Sequence, residues 1–304
     1  MKSFKLFTLA LFAVLALPGL ARAQSTTGKG QVKAFIVQGD VRLEDSNKTQ
    51  TVLTRGQTFG EGNTIITGAD GSALLVFSNG AAMKVGSNTT LQLIKFDQAA
   101  FDQSQGQFIR RTADPSKSTT DMDLKLGTLT GEVKKLNLDA GSTFTVDTPA
   151  GSAGIRGTIP TFSVALVNGV YTVTMSVGTG SVTFTPATVA ALGPQLQKGP
   201  VQVNAGGQIV LTTTTNADGT ISSLNVMGQA ITSQADMQAT INALYDAINT
   251  AGVEEAAATG TTYTPQTPPT AAPPAAPTGA GGTTTSTTSG NTVQPNTNPT
   301  IISQ

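Results

Sequence analysis

Two carboxylates, Asp121 and Asp123, are the side chains whose spacing best suits chemistry. Residues two apart on a β-strand project from the same face, so such a pair could act in acid–base catalysis or bind calcium. Lys125 follows on the same face, and no third ligand stands nearby in the sequence. We therefore interpret the pair as solvated carboxylates on an exposed strand face.

Composition excludes most other catalytic chemistry. The chain has no His and no Cys, which rules out Ser–His pairs, Cys nucleophiles and Cys or His metal sites. Gly28-Lys29-Gly30 is too short for a phosphate-binding loop, and without Trp there is no evident platform for stacking sugars. We expect a non-enzymatic protein with no catalytic residues, cofactor or metal. A carbohydrate-active enzyme that uses carboxylates alone is the enzymatic alternative.

The N-terminal residues are typical of a secretory signal peptide. Lys2 and Lys5 precede an apolar run over residues 6–17, and Ala21-Arg22-Ala23 offers a small-x-small cleavage site. The run has 12 residues, whereas a helix needs roughly 20 to span a bilayer. We predict a cleaved signal peptide over residues 1–23, with an uncleaved membrane anchor as the alternative. The expected location is the periplasm or the exterior of a Gram-negative cell.

Charge argues against several classes of partner. Without the signal peptide the chain has 15 basic and 18 acidic residues, a net charge of about −3. Nucleic acids and anionic lipids attract clustered Lys and Arg, and the sequence has no such cluster. The sequence therefore predicts no nucleic-acid partner and no membrane span after signal cleavage.

Short β-type runs separated by Gly and Asn fill residues 30–228. Asn79-Gly80, Asn168-Gly169 and Asp218-Gly219 each stand between two such runs, which is the strongest local signal for a β-hairpin because both turn residues need positive φ. Alternation of apolar residues is clear at Phe162, Val164 and Leu166. The pattern predicts an all-β fold of half-buried antiparallel strands.

One helix is predicted within residues 229–258. Ser233 can cap its N-terminus, and Ala251-Gly252 could end it. Its apolar stripe consists of Met237, Ile241, Leu244 and Ile248. An apolar stripe of this width must be buried away from water. We therefore expect the helix to pack on the β-domain rather than to serve as a partner-binding helix.

The last segment, residues 259–304, contains no charged residue and is rich in Thr, Pro, Gly, Ala and Ser. Such a composition cannot bury a core and predicts a disordered or polyproline II-like tail. We interpret it as a spacer, with a site of O-glycosylation as the alternative.

An ordered series of glycine-centred motifs runs through the middle of the chain. Its members are Gly68–Ala73, Asn79-Gly80, Leu126–Val133, Thr148-Pro149, Arg156–Thr158 and Val177–Val182. In this order and spacing the series resembles the FecR-like domain family over about residues 30–215. We assign residues 24–228 to a FecR-like β-domain on this basis.

The resemblance implies stacked antiparallel hairpins in a twisted solenoid-like or sandwich arrangement. In the best-known members the domain is the periplasmic part of a single-pass inner-membrane protein. There, a cytoplasmic N-terminus controls a sigma factor while the domain contacts an outer-membrane transporter. This sequence shows no cytoplasmic anti-sigma segment, so we do not expect direct sigma-factor control.

Eight residues carry the family motifs, and we expect structural roles for them. They are Gly68, Asn79, Gly80, Thr148, Pro149, Arg156, Gly157 and Thr158. Arg156 is expected in a buried turn, where its guanidinium could bond several carbonyls; a ligand contact is the alternative. Thr148-Pro149 suits a strand end, and Gly60, Gly62 and Gly68 are expected to supply positive φ at turns.

The leading hypothesis is an exported FecR-like protein that acts by protein–protein contact in envelope sensing or assembly. Sheet edges are the expected contact surface, because unpaired strand edges recruit partners by strand addition. The alternative is a structural or adhesive cell-surface protein that binds envelope glycan. The sequence identifies neither the partner nor the oligomeric state.

Overall fold

A computed structural model describes residues 27–101, 107–188, 199–216, 221–226 and 233–273. The predicted signal peptide, residues 1–23, lies outside these ranges. The strands of the described ranges are β1 Thr27–Lys29, β2 Val32–Gln38, β3 Val41–Glu44, β4 Gln50–Val52, β5 Thr58–Phe59, β6 Thr64–Thr67, β7 Ser72–Phe77, β8 Ala82–Val85, β9 Thr90–Ala99, β10 Ser118–Glu132, β11 Thr143–Thr148, β12 Gly151–Ile155, β13 Pro160–Val167, β14 Val170–Val177, β15 Ser181–Pro186, β16 Val201–Asn204, β17 Gln208–Thr215 and β18 Ile221–Val226. A 3-10 turn spans Phe108–Arg110, and helix α1 spans Gln234–Thr259.

The strands form two layers, which we call sheet A and sheet B. Sheet A has the order β4-β3-β6-β9-β10-β11-β12-β15-β16, with β1 also paired to β9. Sheet B has the order β5-β2-β7-β8-β10-β13-β14-β17-β18. The predicted all-β fold of stacked hairpins with one C-terminal helix is confirmed, and the sandwich is the form that it takes.

The core lies between the two sheets, where apolar side chains alternate inward along each strand. Phe77 of sheet B stands at its centre, with its ring centroid 5.4 Å from that of Phe96 and 6.0 Å from that of Phe144, both of sheet A. The rings meet edge to face, the geometry that aromatic quadrupoles favour. All three side chains are fully buried, so this cluster joins the layers.

Strand β10 belongs to both layers. Its first part, residues 118–126, pairs with β9, while residues 127–132 pair with β13 and β8. The change of layer occurs at Gly127, which has a φ of +93°. A Cβ built there would lie 2.4 Å from the Cα of Thr89, so only glycine fits the crossing without displacing backbone.

One strand pair departs from the predicted antiparallel pattern. β10 and β11 are parallel, with Thr119 opposite Thr143. Because β10 ends in sheet B, residues 133–142 must return the chain to the start of β10 before β11 can join sheet A, and such a return produces parallel neighbours.

The three predicted hairpins have different outcomes. Asn168 and Gly169 have φ values of 51° and 78°, as a two-residue turn between β13 and β14 requires. At Asn79-Gly80 the prediction of positive φ at both residues is wrong. Gly80 alone of the two is left-handed, and the turn contains three residues because Phe77 and Ala81 pair across it. Asp218-Gly219 lies outside the described residues, although β17 and β18 pair antiparallel as predicted.

The expectation of positive φ at three turn glycines holds for Gly62 alone, whose φ is +87°. Gly60 and Gly68 have ordinary backbone conformations. Gly68 instead forms backbone hydrogen bonds with two other segments. Its N–H donates to the carbonyl of Asp40, and its carbonyl accepts from the N–H of Asn88.

Helix α1 packs on the outer face of sheet B, as predicted. The side chain of Ser233 accepts a hydrogen bond from the backbone N–H of Asp236. The predicted stripe is buried, together with Tyr245, against Phe35, Leu74, Val76 and Ala82. Tyr245 donates to Glu132 (2.9 Å), and burial, with a further contribution from Glu132, raises the pKa of its hydroxyl. None of the described residues forms a helix long and apolar enough to cross a membrane.

Two C-terminal boundaries differ from prediction. The helix continues through Ala251-Gly252 and ends at Thr259, where Gly260 adopts the left-handed conformation of a C-cap. Residues 261–273, predicted to belong to a disordered tail, run back along the helix and pack against it. Their apolar and amide groups find partners on α1, which composition alone does not show. Residues 274–304 lie outside the described residues.

The crossing at Gly127 leads to a stability prediction. Gly127→Ala combines an unfavourable φ with a backbone clash and should lower the free energy of unfolding by more than about 3 kcal/mol. The matched control is Gly169→Ala, at a φ of +78° with no atom within 4 Å of the added Cβ, which should cost about 1–2 kcal/mol. Chemical denaturation measures both, and equal losses would contradict the steric role of the crossing.

Candidate partner-binding surface

The structure does not bring the eight family-motif residues into one site. Thr148 and Pro149 lie at one end of the sandwich, where they line a cleft. Arg156 and Gly157 line a separate depression, and Thr158 is buried behind it. Asn79-Gly80 packs beside Arg111 and the residues just after β10, since a Cβ at Gly80 would lie 2.8 Å from the Cβ of Arg111 and 3.5 Å from the Cγ of Lys134.

Asn79 forms hydrogen bonds within the fold. The side chain is buried; its oxygen accepts from the backbone N–H of Ala81 (3.1 Å), and its nitrogen donates to Thr120 (3.2 Å) and Ser118 (3.4 Å). The amide therefore ties the turn of sheet B to β10. Thr148 likewise closes a turn, donating to the carbonyl of Gly151 at 2.8 Å.

The expectation of a buried, carbonyl-bonded Arg156 is wrong. β12 ends at the inward-pointing Ile155, so the alternation places the next side chain outward, and Arg156 is exposed. It lines a depression of about 450 Å³ together with Lys135, Leu138 and Asp139. The position fits the alternative in our sequence reading, a contact with a ligand or partner.

The cleft at the Thr148-Pro149 end, which we call the rim cleft, is formed by both layers. It has a volume of about 770 Å³. Its lining residues are Ile94, Asp123, Lys125, Asp147, Thr148, Pro149, Tyr171, Thr215 and Ile221. Sheet A contributes the wall with Asp123, Lys125 and Asp147, and sheet B contributes the wall with Tyr171, Thr215 and Ile221.

Beside the rim cleft stands the hairpin tip, residues 166–170, which joins β13 to β14. Leu166 continues the inward phase of Phe162 and Val164, yet it is 44% exposed because no strand of sheet A lies opposite it. Val167 is 64% exposed and Val170 36%. Leu166 pairs with Tyr171, so the hairpin tip and the rim cleft form one continuous surface.

The hairpin tip belongs to a part of the chain that is almost free of charge. Between Arg156 and Asp218 the sequence contains one charged residue, Lys198. Exposed aliphatic side chains grouped in an uncharged setting mark protein-interaction sites more often than scattered exposed ones do. The edge strand β18, paired on one side with β17, borders the same surface through Ile221.

The two carboxylates singled out by spacing are less exposed than predicted. Asp121 and Asp123 do share the outer face of sheet A, but both are partly buried. Asp123 lies opposite Asp147 in the ladder, a neighbour from another strand that the sequence spacing could not reveal. Burial raises the pKa of both Asp121 and Asp123, and the charge of Asp147 raises it further.

Sequence reasoning missed the hairpin tip as a surface. The alternation at Phe162, Val164 and Leu166 was read as one buried face, and nothing in that pattern shows where the opposing sheet ends. The available signal was the absence of charge on both strands up to the turn. In the part of the chain that the structure describes, no group of three or more Asp or Glu residues is arranged to hold a metal ion.

Comparison with known proteins supports the family resemblance. Residues 63–183 match the family model described as FecR protein. Over this segment the chain is similar to FecR proteins. All eight motif residues fall within this segment. No curated protein matches the chain.

Solved structures add little to this FecR assignment. Two crystal structures of a protein described as a candidate anti-sigma factor from Parabacteroides distasonis, at 2.50 and 1.65 Å resolution, match with 14% and 15% identity. They cover 53% and 54% of this chain and 57% and 59% of theirs, with TM-scores of 0.30 and 0.32. The chain thus spans less than two thirds of the length of those proteins.

The raised carboxyl pKa values lead to a prediction about pH. A carboxyl pKa raised by folding means that the folded protein binds a proton more readily than the unfolded chain does. The charged carboxylate therefore lowers the stability of the fold above the folded-state pKa. It has no effect below the unfolded-state pKa of about 3.9, where the group is protonated in both states. Asp123→Asn should therefore raise Tm at pH 7, and the gain should vanish near pH 3.

The matched control for this experiment is Asp97→Asn. A hydrogen bond from Lys29 lowers the pKa of Asp97, so its charged form stabilises the fold above the unfolded-state pKa. This variant should lower Tm at pH 7. A decrease in Tm for Asp123→Asn at pH 7 would contradict the desolvated environment of Asp123.

Proposed function

We propose that this protein is an exported, non-enzymatic FecR-domain protein that works by contact with another protein of the cell envelope. The signal-peptide pattern of residues 1–23 supports export. The FecR domain over residues 63–183 supports a role connected with envelope signalling or assembly. The periplasm or cell exterior is the compartment that fits both.

The contact surface consists of the hairpin tip, the rim cleft and the adjoining edge of β18. The observation that carries this proposal is the exposure of Leu166, Val167 and Val170 together on one uncharged hairpin. Burying aliphatic surface contributes roughly 25 cal/mol per Å², and truncating one central anchor of an interface commonly costs more than about 1 kcal/mol. The edge of β18 offers unpaired backbone groups for strand addition beside these anchors.

The partner surface should be apolar, and the contact should depend little on salt. Charges that steer association are screened within about 8 Å at physiological ionic strength, so contacts built on them weaken as salt rises. The hairpin tip has no charged residue, and the charged residues of the cleft, Lys125, Asp123 and Asp147, sum to a net charge of −1.

A second candidate is the structural role with glycan as ligand. The outer face of sheet A favours it, because polar side chains follow one another across neighbouring strands in register. One such row consists of Asp121, Thr145, Thr183 and Gln202, with Gly154, which has no side chain, between the two threonines. Hydroxyl, amide and carboxylate groups of this kind can hydrogen-bond sugar hydroxyls, although the row has no aromatic side chain for stacking.

The contact is tested by capture from an envelope extract, with the captured protein identified by mass spectrometry and confirmed by reciprocal capture. Val167→Asp places a charge at the centre of the hairpin tip and should weaken capture at least about tenfold, the effect of losing one interface anchor. The matched control is Val52→Asp, because Val52 is 70% exposed on β4, at the other edge of sheet A.

The control should retain wild-type capture, and raising the salt concentration should change neither result. Equal capture by wild type and Val167→Asp would remove the hairpin tip from the interface. Binding of the chain to purified peptidoglycan or polysaccharide, reduced by substitutions in the Thr145 and Thr183 row and not by Val167→Asp, would favour the glycan alternative instead.

A further inference from the structure

Residues 261–273, which we call the strap, lie along helix α1 as an extended segment. The backbone reverses at Gly260, whose φ is 65°, and then continues without helix or strand to Pro273. The strap has four prolines and no charged residue. It runs antiparallel to the helix, since Gln266 contacts Asn249 while Ala271 contacts Gln238.

Carboxamides of the helix bind the backbone of the strap at two levels. Asn249 donates to the carbonyl of Gln266 at 2.9 Å and accepts from its N–H at 2.7 Å. Gln238 donates to the carbonyl of Pro269 at 3.2 Å and accepts from the N–H of Ala271 at 2.7 Å. Each amide thus uses both its donor and its acceptor on backbone, and Asn249 accepts in addition from the hydroxyl of Tyr263 at 3.1 Å.

The spacing of these two amides fits an extended chain. Gln238 and Asn249 are eleven residues apart, which is three turns on one helix face and about 16.5 Å at 1.5 Å per residue. Residues 266–271 of a polyproline II-like chain cover about 15.5 Å at 3.1 Å per residue. A helical partner of the same length would cover about 7.5 Å and could not reach both amides.

Two side chains of the strap occupy fitted positions. The ring of Tyr263 lies over Gly252, where a Cβ would stand 2.2 Å from its Cζ. The amide of Gln266 accepts from Lys134 (2.9 Å) and donates to the carbonyl of Ile109 (3.1 Å). Lys134 is itself 8% exposed and paired with Glu132, so Gln266 completes a buried polar group.

Burial at the start of the strap follows the period of a polyproline II helix. Such a helix has three residues per turn, so residues three apart lie on one side. In the first part of the strap Tyr263 and Gln266 have this spacing and are partly buried, while Thr261, Thr264 and Thr267 are exposed. From Pro268 to Ala272 every residue except Thr270 is partly or fully buried.

We propose that the outer face of α1, with Lys134 and Ile109 beside it, is a binding site for an extended, uncharged, proline-containing peptide that carries Tyr and Gln three residues apart. The strap is the intramolecular occupant of this site. A partner protein that presents such a segment binds here by displacing the strap. Backbone-directed amides and preformed side-chain positions are the elements by which grooves recognise polyproline II segments in trans. This site is separate from the hairpin tip and stands independently of the proposed function.

The strap must compete with any external peptide. A short tether holds it at an effective concentration on the order of 1 mM, so the closed chain binds a free peptide much more weakly than a chain whose strap has lost its anchors. Displacing the strap from the helix should therefore allow a free peptide to bind with an affinity that the wild type does not show.

The test uses the full chain and a fluorescent synthetic peptide of residues 261–273. In the variant Tyr263→Ala/Gln266→Ala the strap loses both fitted side chains, and fluorescence anisotropy should show saturable binding of the peptide. Wild type should bind at least tenfold more weakly. A control peptide with alanine in place of Tyr263 and Gln266 should not bind to either protein.

A third variant separates recognition from simple opening. Gly252→Ala added to the opened chain fills the position of the Tyr263 ring and should abolish peptide binding. It should not weaken the helix, because alanine has the higher helix propensity by about 1 kcal/mol. Should the opened variant lose cooperative melting, Gln266→Ala alone is measured with the same peptide.

The proposal is overturned if a folded opened variant fails to bind the peptide at about 1 mM, the concentration at which the tether presents its own strap. Equal binding of the fluorescent peptide and its alanine control would also overturn it, because the site would then have no preference for Tyr and Gln.

Discussion

The structure depends above all on one strand that serves two sheets. β10 pairs with β9 and β11 in sheet A and with β8 and β13 in sheet B. Because one continuous strand pairs in both layers, the position of β10 in one layer constrains its position in the other. The change of layer at Gly127 requires a positive φ and close backbone approach to Thr89, conditions that glycine alone meets without strain. The rim cleft follows from this geometry, since Asp123 on one wall and Tyr171 on the other are held by strands that β10 connects.

The functional surface arises where the two layers have unequal length. β13 and β14 continue past the last side chains that sheet A can cover, so an alternation that buries Phe162 and Val164 leaves Leu166 exposed. An exposed apolar hairpin in an uncharged region is an aggregation hazard unless it has a partner. The contact role that we propose accounts for this exposure. At the opposite face of sheet B the apolar surface is already covered by α1 and the strap.

Much of the fold was accessible from residue patterns. Period-two alternation predicted β13 and β14, Asn168-Gly169 predicted their turn, and the stripe beginning at Met237 predicted the helix and its burial. These features depend on neighbours in sequence, which is why local patterns reveal them. The FecR resemblance was carried by the order of motifs, and the matching segment confirms it.

Features that depend on distant parts of the chain were not accessible. The Asn79 amide donates a hydrogen bond to β10, and its turn contains three residues rather than two. Arg156 is exposed because β12 ends one residue earlier. β11 is parallel to β10 because the chain must return from sheet B before it joins sheet A. The strap is ordered because amides seventeen to thirty-seven residues away bind its backbone. In each case the deciding partner is far away in sequence, and composition gives no sign of it.

Site-specific photocrosslinking in intact cells tests most directly the claim that the hairpin tip is the contact surface. A photoreactive phenylalanine analogue in place of Val167 should yield one discrete adduct with an envelope protein. The same analogue in place of Val52, an equally aliphatic and exposed residue at the other edge of sheet A, should yield none. Adducts of equal yield at both positions, or at Val52 alone, would contradict the account.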